Sequence, residues 1–179
     1  EKLTSGESLF YSWNVGMGVN FSALYAYYLA SPLNWLIVLC PRDYVIEFMS
    51  YMVVVKIGLC GLSMAWYLRS RNRRTDIGAG VFGTFYALSG YLSGYMAAYS
   101  WNIMWLDCII LLPVIVRGAE RLVNEKKPHL YCLALGLSIL SNYYISIMIC
   151  MFLVLWFFAL QVLKGWKSFR ELIVTGAQF

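Results

Sequence analysis

The sequence predicts an all-α protein embedded in a membrane as a multi-pass helical bundle, and three observations lead to this fold class. Of the 179 residues, 61% are hydrophobic and only 13% are charged, whereas a soluble domain carries roughly 25% charged residues. Uncharged runs long enough to cross a bilayer recur along the chain. The basic residues behind the net charge of +5 form short clusters between these runs, so we expect a lipid bilayer as partner and no nucleic acid.

Residues 1–43 are too apolar for a free loop. Within them, residues 30–40 have Pro32 near their start and Pro41 directly after their end. They are long enough for a short interfacial helix but not for a crossing, which needs about 20 residues. Residues 45–68 form the clearest span, because four arginines follow directly within residues 69–74. Residues 77–96 form a second span, whose many small residues allow close helix approach and predict a position inside a bundle.

Residues 103–116 are short for a crossing, and they contain Asp107 and Pro113. We therefore expect this segment to begin in the outer interface. Residues 130–163 carry no charge and would form one helix of roughly 50 Å, far longer than a hydrocarbon core of about 30 Å. We predict a break at residues 141–144, the polar cluster in this run, which gives spans at 130–140 and 145–163.

Charge sets the predicted direction of each span. Basic clusters occur at residues 69–74, 117–127 and 164–170, whereas residues 97–102 carry no charge. The positive-inside rule then places the three clusters in the cytoplasm and residues 97–102 outside. By the same count, residues 1–43 and the break at 141–144 lie outside, with short and broken helices near the outer face. No repeat or linker divides the chain, so we expect residues 1–179 to form one domain.

Four polar-aromatic segments are therefore predicted to meet on the outer face, namely residues 11–14, 34–35, 101–107 and 141–144. Aromatic rings stack on sugar C–H faces, and amides or carboxylates bind hydroxyl groups, so this chemistry suits a saccharide. The alternative is an interfacial belt of Trp and Tyr, which is common in membrane proteins, although a belt does not explain the neighbouring amides. The candidate substrate-binding residues are Trp13, Asn14, Asn34, Trp101, Asn102, Trp105, Asp107, Asn142 and Tyr143.

Two charges inside apolar runs need an explanation. Lys56 lies near the middle of its span, where a lysine costs roughly 2.5 to 3.5 kcal/mol. It either forms an ion pair or carbonyl contacts within the bundle, or it binds a phosphate in a cavity. Asp107 could orient a sugar hydroxyl, pair with Lys56 or be hydrated. No metal-binding pattern or other cofactor signature is present, although the sequence is compatible with a divalent metal.

The sequence resembles the YfhO family of bacterial membrane proteins, which belongs to the GT-C class of glycosyltransferases. The resemblance covers nearly the whole chain, and it is fairly specific because several motifs occur in the same order. These motifs are residues 9–14 (LFYSWN) with Gly16 and Gly18, residues 27–34 (YYLASPLN), residues 86–91 (YALSGY), residues 102–107 (NIMWLD) before Pro113, and residues 141–144 (SNYY).

The resemblance implies a GT-C-like fold in the bacterial cell membrane with an active site facing outside. It implies transfer of a sugar from a polyprenyl-phosphate carrier to an extracellular polymer, with teichoic or lipoteichoic acid of Gram-positive bacteria the usual suggestion. Such enzymes place their catalytic acidic residue soon after a first transmembrane helix, so we expect that Asp upstream of Glu1 and an internal fragment that is inactive alone. Asp107 is the weaker catalytic candidate within the chain.

Two other functions remain open at this stage. A transporter or flippase of lipid-linked saccharides would also use broken helices and intramembrane charges, but its polar groups would face both sides of the membrane. A non-enzymatic envelope scaffold would tolerate replacement of Asp107 and the asparagines.

Overall fold

The computed structural model describes residues 8, 10–13, 17–72, 77–96, 100–164 and 176. This part of the chain is mostly helical. A short antiparallel pair, β1 (Tyr11–Ser12) and β2 (Val19–Asn20), precedes the helices. The α-helices are α1 (Phe21–Leu24), α2 (Val45–Asn72), α3 (Ile77–Ala87), α4 (Leu106–Glu125), α5 (His129–Ser141) and α6 (Tyr143–Lys164). The π-helical turns are Tyr25–Leu29 and Tyr91–Met96, and the 3-10 turns are Asn34–Leu39, Arg42–Tyr44 and Ser100–Trp105.

Helix α2 begins at residue 45 as predicted and continues to Asn72, one turn beyond the predicted end. Helix α3 runs antiparallel to it at very close range. A Cβ atom added at Gly83 would lie 2.6 Å from the carbonyl oxygen of Gly61, so small residues bring these two backbones together as expected. Among the described residues only one face of α3 is packed, since Phe82 and Phe85 are exposed. The position of the whole segment inside a bundle stays a prediction for the other face.

The predicted helix over residues 77–96 is also not continuous. Helix α3 ends at Ala87, and a turn at Leu88 and Ser89 separates it from the π-helical Tyr91–Met96. Ser89 and Gly90 are weak helix formers, which gives a physical reason for an interruption here.

Helix α4 is the central helix of the described residues. It runs parallel to α2 on one side and antiparallel to α5 on the other. The contact with α5 is tight, because a Cβ atom added at Gly118 would lie 2.7 Å from the Cα atom of Tyr131. Helix α4 covers Leu106–Glu125 instead of the predicted residues 103–116. It continues past residue 116 because Arg117 and Glu120 pair with each other and with polar groups of α2.

Pro113 lies within α4 without ending it. Proline has no N–H group, so the carbonyl oxygen four residues earlier, that of Ile109, lacks its helical donor. The hydroxyl group of Tyr86 donates to this oxygen at 3.0 Å. A side chain from the preceding segment thus replaces the hydrogen bond that proline removes.

The chain reverses direction at Asn142, where the predicted break occurs. Asn142 is extended (φ −160°, ψ 110°) between α5 and α6. The hydroxyl oxygens of Ser138 and Ser146 lie 2.8 Å apart, whereas eight residues of straight helix would separate them by about 12 Å. Helix α6 consequently folds back, and Ile149 and Leu153 pack with Cys108 and Ile115 in one apolar core.

Two helices are long and apolar enough to cross a membrane by length and composition, namely Val45–Asn72 and Tyr143–Leu163. Helices α3 and α5 are apolar but shorter. The ends of α2 and α4 meet through Arg71, Arg117 and Glu120, so the basic residues of both helices lie at one end of the bundle. The break at Asn142 lies at the opposite end. This arrangement agrees with the charge pattern, and the membrane side of each end stays a prediction.

Candidate functional site

The buried ammonium group of Lys56 joins two of the predicted outer segments, through Asn34 in one and through Ile103 and Asp107 in the other. Its Nζ atom lies 2.8 Å from Asp107 Oδ2 and 2.7 Å from Asn34 Oδ1. The carbonyl oxygen of Ile103 and the Ser31 hydroxyl complete the shell at 3.2 and 3.4 Å. We call these five residues the lysine site. Lys56 is fully buried, and the site compensates the cost of placing its charge in the interior.

Of the two interpretations of Lys56, the structure shows the ion pair, which Lys56 forms with Asp107. An ammonium group has three N–H bonds, and the oxygens of the lysine site use them all. A phosphate role for Lys56 stays a prediction, and it would require Lys56 to leave this shell. Asp107 is also buried, and its second oxygen, Oδ1, has no hydrogen-bond partner among the described residues.

Local sequence explains how Asn34 reaches Lys56. The Ser31 hydroxyl accepts a hydrogen bond from the Asn34 backbone N–H at 3.2 Å, and the Ser31 carbonyl accepts one at 3.1 Å. These bonds close the turn that contains Pro32 and begin the 3-10 helix Asn34–Leu39. The Asn34 side chain consequently points inward. Trp35 next to it is exposed, and its ring lies 6.4 Å from that of Tyr25.

A cluster of aromatic rings lies at the same end of the bundle as the lysine site. The Tyr27 ring lies 6.0 Å from the Tyr143 ring and 6.3 Å from the Tyr144 ring, measured between centroids. The Trp105 ring lies 6.2 Å from that of Tyr144, and Tyr28 packs edge-on against Tyr27 at 4.6 Å. We call these five residues the aromatic cluster. Tyr28, Tyr143 and Tyr144 are exposed, each by more than 40%.

Asn142 is fully buried, and it bonds to the backbone of two segments that carry this cluster. Its Nδ2 group donates to the Tyr27 carbonyl at 3.0 Å, and its Oδ1 accepts from the Ile145 N–H at 3.0 Å. The second bond is the N-cap of α6. Both Asn142 side-chain heteroatoms are therefore bonded within the protein, and a role in sugar binding stays a prediction for Asn142.

The structure thus brings Asn34, Trp105, Asp107, Asn142 and Tyr143 to one end of the bundle. The ring of Trp13 is exposed and packs against Tyr11 with 4.9 Å between centroids. Asn14 lies outside the described residues, and so do the side chains of Trp101 and Asn102. The polar members of the set point inward, whereas Trp13 and Tyr143 are exposed. This division between buried amides and exposed rings was not predicted.

Sequence reasoning missed several residues around the site. Ser31 and Tyr27 contribute to it through hydroxyl and backbone oxygens, and Ser138 and Ser146 pair across the helix break. The motif of residues 27–34 was visible in the sequence, but no periodicity connects it with residues 142–146. Among the described residues, no three His, Cys, Asp or Glu side chains are grouped to hold a metal ion.

Comparison with known proteins agrees with the resemblance seen in the sequence. The family model of the bacterial membrane protein YfhO matches residues 1–177, nearly the whole chain. No curated protein and no solved structure matches the chain significantly. A match of this length, to a chain with two apolar helices of membrane-spanning length, settles the family. The chain belongs to the YfhO family of bacterial membrane proteins.

Proposed function

We propose that this membrane protein is a GT-C-type glycosyltransferase of the bacterial cell envelope. In this proposal it moves a sugar from a polyprenyl-phosphate carrier to an extracellular polymer such as lipoteichoic or teichoic acid. The protein crosses the membrane several times, and the end with the aromatic cluster faces outside. Family membership supports a role at the membrane, and the aromatic cluster is the observation that favours sugar transfer.

The aromatic cluster supports the proposal because its rings come from three separate segments, and the buried Asn142 side chain joins two of these segments. The Tyr144 ring contacts both Tyr27 and Trp105, which are far from it in sequence. Asn142 bonds both to Tyr27 and to the start of α6. Exposed rings that already make contacts within the protein can stack on a sugar with little loss of side-chain entropy. A belt of aromatic residues that only contacts lipid does not require such a buried polar support.

The proposed reaction needs an acceptor hydroxyl that attacks the anomeric carbon of the donor. A new C–O bond forms, the bond to the carrier phosphate breaks, and the hydroxyl proton passes to a carboxylate. Asp107 is held against Lys56 at 2.8 Å, so we assign it a positioning role: it fixes the start of α4 and thereby Trp105. The donor then lies against the rings of the aromatic cluster.

The test is a transfer assay in membranes that contain the full-length protein. Polyprenyl-phosphate-glucose and polyprenyl-phosphate-N-acetylglucosamine serve as donors, and lipoteichoic acid serves as acceptor. We expect Tyr144→Ala and Trp105→Ala to lower transfer at least tenfold at equal protein levels. Tyr51→Ala is the matched control, because Tyr51 is 71% exposed on α2 and belongs to neither group.

Three outcomes would contradict the proposal. Equal activity of Tyr144→Ala, Trp105→Ala and Tyr51→Ala would leave the aromatic cluster without a role in transfer. Movement of a fluorescent polyprenyl-phosphate-sugar across proteoliposomes, without product formation by the unaltered protein, would favour a flippase. The absence of both transfer and lipid movement would favour a scaffold.

A further inference from the structure

A second polar cluster lies at the opposite end of the interface between α2 and α4. Its centre is Glu120, whose side chain is only 5% exposed. The Tyr67 hydroxyl donates to Glu120 Oε1 at 2.9 Å, and Arg71 Nη1 and Arg117 Nη1 each lie 3.3 Å from a Glu120 oxygen. We call Tyr67, Ser70, Arg71, Arg117 and Glu120 the arginine cluster. Two guanidinium groups share one carboxylate, so the cluster keeps one positive charge.

The two arginines differ in how they are bound. Arg117 is 17% exposed, and it also donates from Nε to the Ser70 hydroxyl and from Nη2 to the Ser70 carbonyl. Arg71 is 47% exposed, and it is held only through Nη1, by Glu120 and by the Tyr67 hydroxyl at 2.7 Å. Among the described residues, nothing accepts a hydrogen bond from its Nε and Nη2 groups. The residual charge is therefore presented by the Nε and Nη2 edge of Arg71.

The position of this edge indicates what it would bind. Arg71 lies in the last turn of α2, which is long and apolar enough to span a membrane. The end of such a helix lies at the level of lipid headgroups. Further basic residues occur at the same end of the bundle, at Arg69, Arg121 and Lys127. Anionic headgroups are attracted to such regions.

We propose that the Nε and Nη2 groups of Arg71 bind the phosphate of an anionic phospholipid. A guanidinium edge matches two phosphate oxygens with two parallel hydrogen bonds, which a lysine cannot provide. Glu120 and Tyr67 act as positioning residues that hold this edge toward the headgroup. The inference concerns the end opposite the aromatic cluster, and it does not depend on sugar transfer.

Lipid selectivity of the full-length protein tests the proposal. The protein is reconstituted in phosphatidylcholine vesicles with a minority of phosphatidylglycerol, and electron paramagnetic resonance measures association of spin-labelled forms of both lipids. We expect a preference for phosphatidylglycerol of about fivefold, the factor that corresponds to about 1 kcal/mol for one arginine near an anionic surface. Arg71→Gln should remove most of this preference. Arg69→Gln, an exposed arginine on the same helix, should leave it nearly unchanged.

Two further variants separate a formed site from diffuse charge. Glu120→Gln makes the protein more positive, so diffuse attraction would raise the preference, whereas loss of the positioned edge lowers it. Arg71→Lys keeps the charge but lacks the two-donor edge, and it should also lower the preference. Circular dichroism checks that each variant folds. If Glu120→Gln does not fold, Arg71→Lys alone distinguishes a formed site from diffuse charge.

Three results would overturn the inference. The first is no preference for phosphatidylglycerol in the unaltered protein. The second is an equal loss for Arg69→Gln and Arg71→Gln, which indicates diffuse charge. The third is displacement of phosphatidylglycerol by inorganic phosphate at constant ionic strength, which indicates a site for free phosphate instead of a lipid.

Discussion

The hydroxyl group of Tyr86 donates a hydrogen bond of 3.0 Å to the carbonyl oxygen of Ile109, the oxygen that Pro113 leaves without a helical donor. We expect Tyr86→Phe to lower the free energy of unfolding by about 1 to 2 kcal/mol, because a carbonyl in the helix interior loses its partner. In a Pro113→Ala background, the introduced alanine supplies the missing backbone N–H, so the same change should cost much less. Titration with a denaturing detergent measures both values. Equal losses in the two backgrounds would contradict the view that the Tyr86 hydroxyl replaces the backbone N–H that Pro113 lacks.

The Lys56–Asp107 pair should be costly to break and inexpensive to replace. Asp107→Ala leaves the buried ammonium without its carboxylate, and we expect a loss of about 3 to 5 kcal/mol in the free energy of unfolding. The double variant Lys56→Met with Asp107→Leu removes both charges and should recover most of this loss. A double variant as unstable as Asp107→Ala would mean that the charges themselves are needed for folding.

Asn142 should stabilise the reversal through two separable bonds. Asn142→Ser keeps an oxygen that can cap α6 but loses the bond to the Tyr27 carbonyl. Asn142→Ala loses both, and we expect it to be less stable than Asn142→Ser by about 1 kcal/mol, the usual contribution of an N-cap. Thermal unfolding in detergent compares the two variants. Identical midpoints would exclude a contribution from the cap.

The close approach of α4 and α5 should make Gly118 sensitive to substitution. The Cβ atom of Gly118→Ala would lie 2.7 Å from backbone atoms of Tyr131, which forces the helices apart at a cost of about 1 to 3 kcal/mol. Gly136→Ala on α5 is the control, because an added Cβ there has no neighbour within 4 Å. It should gain up to about 1 kcal/mol of helix propensity. Similar unfolding free energies for the two variants would contradict this helix packing.

Cysteine labelling of cells tests which membrane side each bundle end occupies. In a cysteine-free background, Tyr143→Cys should react with an impermeant maleimide added outside, and Lys127→Cys should react only after permeabilisation. Both side chains are well exposed, so accessibility reports their side of the membrane. Tyr143 is chosen over Asn142 because Asn142 is fully buried. Labelling of both from the same side would contradict a crossing by α5.

The positions of the helices followed from hydropathy, but two of their boundaries did not. Helices α2, α5 and α6 lie close to the predicted spans, because long uncharged runs mark them directly. Helix α3 ends early at Ala87, whereas α4 extends to Glu125, since Arg117 and Glu120 bond to groups of α2. Hydropathy ends a span where charges cluster, and it cannot recognise charges whose partners lie on another helix.

The sequence predicted that four polar-aromatic segments meet, and the structure brings three of them to one end of the bundle; whether they form a substrate site stays a prediction. The direction of their side chains was not predictable. Asn34 and Asn142 turn inward, because Lys56 and the Tyr27 carbonyl offer them buried partners. Such partners are far apart in sequence, so the sequence indicated only that the amides needed hydrogen bonds.

The distance along the chain between Lys56 and Asp107 has a consequence for synthesis. The two residues are 51 positions apart, and ribosomes add about 5 to 20 residues per second. Lys56 therefore leaves the ribosome several seconds before its carboxylate partner. During that interval the ammonium lacks the Asp107 carboxylate, and the Ser31 and Asn34 side chains are the partners already synthesised. We therefore expect these two residues to solvate the charge of α2 before α4 arrives, which gives the turn that holds them a role in assembly as well as in the finished bundle.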